Sequence, residues 1–201
     1  MPIISSIKIE YEGTERFIPK TIKDTFKNKI INITDIKEIG VGTAQSTLND
    51  RLYLDLPSLD WYAYEDNYGT SEEKELTVFI SPMIEDLKKR YHTVTLLRNE
   101  QFFKLYSFND GQAFEPDFVL FLQEKIGGNI IQYQVFIEPK GTTLIENDEW
   151  KETFLLQMKD RAKAKEILWE NYEFRIIGLP FFNHEIRVKE FDEAMAELKN
   201  M

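Results

Sequence analysis

The sequence predicts an α/β domain built on a mixed central sheet flanked by helices. Three observations predict it. An amphipathic stripe runs from Leu76 to Tyr91, short apolar segments separated by turn signals follow from Thr93 to Glu138, and helical periodicity returns on both sides of a last strand-like segment. A chain of 201 residues can bury one core without staples. Its 42% apolar and 30% charged composition is that of a folded chain, not of a disordered tail.

The first 60 residues read as an N-terminal extension or connector of the same domain, whose body is 61–201. Ile7, Ile9 and Tyr11 alternate with charged residues as in a half-buried strand, a short helix is expected over Ile22–Ile30, and Leu52–Leu56 alternates again. Thr70 and Glu73 have capping-box spacing ahead of a helix of about six turns, kinked near Pro82. Strands are expected at Thr93–Arg98, Phe102–Phe108 and Phe114–Leu122, the second pair joined by Asn109-Asp110-Gly111. These three are expected to be antiparallel. Gly127-Gly128-Asn129 turns into a fourth strand, Ile131–Glu138. A helix from about Asp148 to Met158, a second up to Trp169, a strand at Tyr172–Ile177 and a closing helix at Lys189–Lys199 complete the pattern.

Composition removes several classes of function. With no cysteine there is no disulfide scaffold, thiol nucleophile or thiolate metal site, and a reducing, cytoplasmic setting is expected. His92 and His184 are too few for a histidine-rich zinc site. The longest apolar run is Phe118–Leu122, far short of the roughly 20 residues that span a bilayer, and the first ten residues predict no secretory signal. The glycines of GVGTAQST at Gly40–Thr47 suggest a phosphate loop, but the chain has no Gly-Lys pair for a Walker A motif. Gln45 stands where a dinucleotide fingerprint needs its third glycine. A net charge of −10 argues against a chain that grips DNA unaided, since phosphate neutralisation supplies most sequence-independent affinity.

Two phrases carry charge where a structural strand needs none: FEPDFVLFL at Phe114–Leu122 and YQVFIEPKG at Tyr133–Gly141. Glu138 and Lys140, two apart, share one face of extended backbone, and neighbouring strands bring Asp117 to them. Two carboxylates about 4 Å apart repel by roughly 4 kcal/mol at an effective dielectric of 20. A divalent cation removes that cost, and oxygen ligands without Cys or His select a hard ion such as Mg²⁺, with Mn²⁺ as a substitute. Lys140 suits stabilisation of a developing phosphate charge. Alone, a Glu-x-Lys pair is commonly a same-face ion pair worth about 0.2–1 kcal/mol. The conjunction of Pro-Asp, Glu-x-Lys some 21 residues on, and a following helix is far more specific.

Pro116-Asp117 followed by Glu138-Pro139-Lys140 resembles the PD-(D/E)XK nuclease signature. TSEEKE before the helix, LLRNE at Leu96–Glu100, FIEPKG, DEWKETFL at Asp148–Leu155 and GLPFF at Gly178–Phe182 resemble the C-terminal endonuclease region of type III restriction enzyme Res subunits, over about Asp60–Asn183. The resemblance implies a restriction-endonuclease-like core acting on double-stranded DNA. It implies Mg²⁺ held by Asp117, Glu138 and the carbonyl of Pro139, with Lys140 catalytic. It also implies a helix-borne acid, for which Glu73 is preferred to Glu72, although capping accounts for Glu73 equally well. Such subunits carry an ATP-driven, helicase-like motor and work with a methyltransferase (Mod) subunit. No motor motif is present here, so a nuclease domain of a longer protein is expected, with ATP used only by the motor.

The rival from another class is a catalytically idle module that docks a helicase or methyltransferase; a metal-independent DNA-binding module fits the charge poorly. His92 is read as structural, His184 as a loop residue and Trp150 as core. Lys151 is a candidate phosphate contact, and the Lys159–Lys165 run, with Arg161 and Lys163, is a solvated face able to guide DNA.

Overall fold

A computed structural model describes residues 42–100, 104–107, 111–162, 167–169 and 172–201. The expected strand at Ile7–Tyr11, the helix at Ile22–Ile30 and the basic side chains of the Lys159–Lys165 run lie outside the described part. Thr70 caps helix α1 (Ser71–Ile80) in a complete capping box. Its side chain accepts from the Glu73 amide, and the Glu73 carboxylate accepts from the Thr70 amide at 2.9 Å. Pro82 lacks an N–H, and the chain passes through a 3₁₀ turn (Ser81–Met83) into a second helix, α2 (Ile84–Arg90). The expected kink is thus a break between two helices.

The strands are β1 (Thr93–Arg98), β2 (Leu105–Tyr106), β3 (Ala113–Phe114), β4 (Phe118–Ile126) and β5 (Asn129–Ile137). After them come α3 (Glu149–Ala162), β6 (Ile167–Trp169), β7 (Tyr172–Gly178) and α4 (Val188–Asn200). Among the described residues the main sheet has five strands, in the order β1-β4-β5-β7-β6. β1, β4 and β5 are antiparallel, β7 runs parallel to β5, and β6 returns antiparallel to β7. The mixed α/β sheet flanked by helices is therefore the architecture observed.

Four expectations are corrected. Of the strand expected at Phe102–Phe108, the described Leu105 and Tyr106 pair with β3 in a two-stranded ladder separate from the main sheet, while Phe102, Phe103, Phe108 and the turn residues Asn109 and Asp110 lie outside the described residues. Phe114–Leu122 is two strands, parted at Glu115–Asp117, because Pro116 has no amide to offer a ladder. The second helix expected up to Trp169 is, at Ile167–Trp169, strand β6. Leu52–Leu56 forms no strand, and a 3₁₀ turn starts at Leu56 instead.

β4 is buried on both faces, which is why it reads as an unbroken apolar run. Phe118, Leu120 and Leu122 pack with Leu76, Leu87, Phe191 and Met195 of α1, α2 and α4. Val119 and Phe121 pack with Phe154, Leu155 and Met158 of α3. Helices on both faces make three layers. Gly127 and Gly128, at φ +57° and +94°, form the two-residue β4–β5 turn that side chains resist. No helix among the described residues is long and apolar enough to cross a membrane.

Candidate functional site

The β4–β5 hairpin fixes where the acids meet. Its register pairs Phe118 with Ile137, so the next residues outward, Asp117 and Glu138, stand opposite each other at the open end of the hairpin. Glu138 lies just past β5 rather than at its last position. The Asp117 amide donates to Glu138 Oε2 at 2.9 Å. Asn99, one residue beyond β1, secures the Pro-Asp segment: its amide donates to the Asp117 carbonyl at 2.6 Å and its side chain to the Pro116 carbonyl at 2.8 Å.

The Glu-Pro-Lys segment is clamped from the other side by the chain leaving β7. The Phe182 amide donates to the Glu138 carbonyl at 3.0 Å, and the Lys140 amide to the Phe182 carbonyl at 2.8 Å. Pro139 sits in a parallel bridge with Phe182. The buried Asn183 side chain then donates to the Lys140 carbonyl at 2.7 Å and to Thr142 Oγ1 at 3.2 Å. Its own oxygen accepts from the Glu185 and Ile186 amides. The GLPFF phrase is therefore scaffolding for the site.

Lys140 Nζ lies 2.8 Å from Glu138 Oε1 and 2.7 Å from Asp148 Oδ2. Asp148 Oδ2 also takes Lys151 Nζ at 2.8 Å. Both lysines rest over aromatic faces, Lys140 over Phe181 and Lys151 over Phe114 and Trp150, each 5.9 Å from the centroid. Trp150 packs edge-on to Phe114, as a core residue does.

The two helix acids play different parts. Glu73 closes the cap and pairs with Arg98, whose Nε lies 3.1 Å from Glu73 Oε2 and whose Nη1 bonds Glu100. Glu72 points elsewhere, for a Cβ on Gly141 would come within 3.0 Å of its Oε1. Glu73 is the acid whose charge bears on Asp117, and Glu72 is the one that borders the loop after Lys140.

Burial, then the charges of Glu138 and Glu73, push the Asp117 carboxyl well above the usual carboxylate range. Burial raises Glu138 as well, although Lys140 pulls the other way. Burial works against the Lys140 charge, yet Glu138 and Asp148 outweigh it and raise its pKa. Asp148 is held below the ordinary value by its two lysines, against the effect of its partial burial. Two carboxylates costly to ionise side by side suit a hard cation. Among the described residues no three His, Asp or Glu side chains form a metal cage, and Glu73 is already engaged. The pair nonetheless fits Mg²⁺, which commonly takes one or two protein carboxylates and completes its shell from water and substrate phosphate.

Arg98, Asp148 and Asn183 were not read as site residues from the sequence. Asp148 and Lys151 at i, i+3 gave a local signal, but the link from Asp148 to Lys140 is tertiary. His92 is exposed and its backbone amide donates to the Gln123 carbonyl of β4, whereas His184 Nδ1 sits 2.6 Å from Glu75 Oε2 in a loop.

A family model, the HI_1054_C C-terminal domain, matches residues 10–198. An uncharacterized protein of Haemophilus influenzae is 38% identical over 196 residues, covering 92% of this chain. The chain spans 39% of that relative's length. No solved structure matches the chain.

Proposed function

We propose that this chain, which belongs to the HI_1054_C C-terminal domain family, is a metal-dependent endodeoxyribonuclease domain of the PD-(D/E)XK kind. One observation carries the reading. Asp117, Glu138 and Lys140, from two separate phrases of sequence, lie together at one end of the sheet. The likeness of TSEEKE, LLRNE, FIEPKG, DEWKETFL and GLPFF to the endonuclease region of type III Res subunits supports the same reading. Its core would then be restriction-endonuclease-like.

Asp117 and Glu138 would hold Mg²⁺, or Mn²⁺ in its place, together with the Pro139 carbonyl. When bound, the ion supplies Lewis acidity to the scissile phosphodiester. The residues of this chain do the rest. Lys140 presents a positive donor to charge developing on the phosphate and orients the attacking water. Phe182 and Asn183 fix the Lys140 backbone, and Lys151 presents a second cation toward the backbone of the DNA. Glu73 or Glu72 serves as the acid of the first helix. Because the chain is acidic, double-stranded DNA would be delivered by a helicase-like motor and a methyltransferase subunit in the cytoplasm, with ATP consumed by the motor alone.

In the parent protein, Lys140→Ala is expected to slow cleavage by about 10²–10³ while ATPase activity is kept. Cleavage by that variant at the wild-type rate overturns the assignment. One observation favours the second reading, an idle docking module: Lys140 and Arg98 already neutralise Glu138 and Glu73. Divalent-ion binding that is lost in Asp117→Ala and Glu138→Ala separates the two.

A further inference from the structure

Lys140 occupies the oxygen that a cation would need. Its Nζ sits 2.8 Å from Glu138 Oε1, inside a site where Glu138 is 3% exposed and Lys140 itself 12%. An ion binding to Glu138 must therefore compete with an ammonium that is already in place. If Glu138 were the sole counter-charge, the exchange would strand a largely buried lysine, and a buried charge that loses its partner is strongly unfavourable. The structure supplies a second seat. Asp148 Oδ2 lies 2.7 Å from the same Nζ, on the first turn before α3 and on no strand of the sheet.

We infer that Asp148 is a positioning residue that holds Lys140 while Glu138 exchanges the lysine for a divalent cation. This rests on the nuclease reading above and assigns Asp148 a part in it. Glu138 has two carboxylate oxygens: Oε2 accepts from the Asp117 amide and Oε1 from Lys140. Only the second contact has to break, and the ammonium remains paired with Asp148 after it does. The ammonium thus stays beside the phosphate position instead of swinging into solvent. Lys151 shares the same Asp148 oxygen at 2.8 Å. A carboxylate that serves two lysines grips each less firmly, so Lys140 remains able to return to Glu138 when the ion leaves.

Without Asp148, Lys140 binds Glu138 alone, and the fraction of sites open to the ion falls, lowering apparent affinity by the same factor. Mn²⁺ binding to the full chain, measured by calorimetry with no DNA present, tests this. Asp148→Asn is expected to weaken Mn²⁺ about tenfold, a coupling of usual size for groups in contact. Lys140→Met is expected to tighten binding. The decisive variant is the double one: in the Lys140→Met background, Asp148→Asn should change affinity less than twofold. A tenfold loss in that background too means that Asp148 acts only through its negative charge on the ion, and overturns the inference. So does a single Asp148→Asn variant that binds as the wild type does. Asp148→Glu keeps the charge and should stay within twofold of wild type. Asp148→Ser replaces the amide variant if melting shows that one unfolded. If wild-type protein binds no Mn²⁺, the nuclease reading fails and this inference with it, whereas wild-type binding with unaltered variants removes the inference alone.

Discussion

The Asp117 amide donates to Glu138 Oε2 at 2.9 Å, so the two acids are joined through backbone and not through a shared proton. Glu138 is thereby oriented whatever the charge of the Asp117 side chain. The Asp117 carboxyl is left to face the site, with burial and the neighbouring acids Glu138 and Glu73 opposing its ionisation.

That opposition has a cost in stability with a definite sign. The folded pKa of Asp117 lies above its ordinary value of 3.8, so the native state holds the proton more tightly than the unfolded chain does. Its contribution is most favourable at low pH and is lost as pH rises through the raised value. Asp117→Asn should accordingly gain stability over wild type as pH rises toward 8, with the gap closing toward pH 4. Thermal melts across that range check it; a gap that widens on acidification refutes the burial argument.

Glu73 and Glu72 should separate on stability. Glu73→Ala removes the reciprocal half of the capping box and one carboxylate partner of Arg98, for a loss of about 1–3 kcal/mol. Glu72→Ala should stay within about 0.5 kcal/mol of wild type. Urea denaturation of both variants reads the difference directly, and a larger loss for Glu72 would contradict it.

Asn183→Ala should act on the site through Lys140. It removes the bond to the Lys140 carbonyl and four polar contacts in all from a buried position, two donated and two accepted. The expected stability loss is about 2 kcal/mol. On the proposed nuclease reading, cleavage should fall roughly tenfold, since a displaced donor would serve the transition state poorly. Mn²⁺ affinity should change less than twofold, as Asp117 and Glu138 are untouched. A large drop in affinity would mean that Asn183 supports the acids instead.

Gly178 tests how closely α3 lies on β7. A Cβ there would come within 2.2 Å of the Leu155 carbonyl oxygen, a backbone atom that no rotamer change can move. Gly178→Ala should cost about 2–3 kcal/mol and lower Tm by roughly 5–10 °C. A variant that melts as wild type does would show that the helix slides freely on the sheet.

The parts of the fold legible in the sequence are those written in local chemistry. The Thr70–Glu73 cap, the Pro82 break and the Gly-Gly turn announce themselves by residue type at fixed spacing. The pairing of Asp117 with Glu138 and Lys140 was legible because two apolar strands frame it. β6 was not, since Ile167, Leu168 and Trp169 are too few to show a period of their own. The Phe102–Phe108 segment looks like a sheet strand by composition, yet which ladder a strand joins depends on contacts far along the chain. Asp148 was missed for the same reason. Its charge suits the helix start, and nothing local reveals that Lys140 folds back onto it.

The Gly127–Gly128 turn works as a ruler for a site nine strand residues away. Each pair down the β4–β5 ladder, from Ile126–Asn129 to Phe118–Ile137, repeats the alignment set at the turn, and Asp117 opposite Glu138 is its last consequence. In descent, then, the stretch of chain between the Pro-Asp and Glu-Pro-Lys phrases is not free to drift in length. A residue gained by one strand must be matched in the other or extruded as a bulge, because a slip of one position would turn one acid away from its partner. Relatives that keep both acids should therefore differ in this interval by paired insertions or at the turn itself, and unpaired gains within the strands should coincide with loss of one acid.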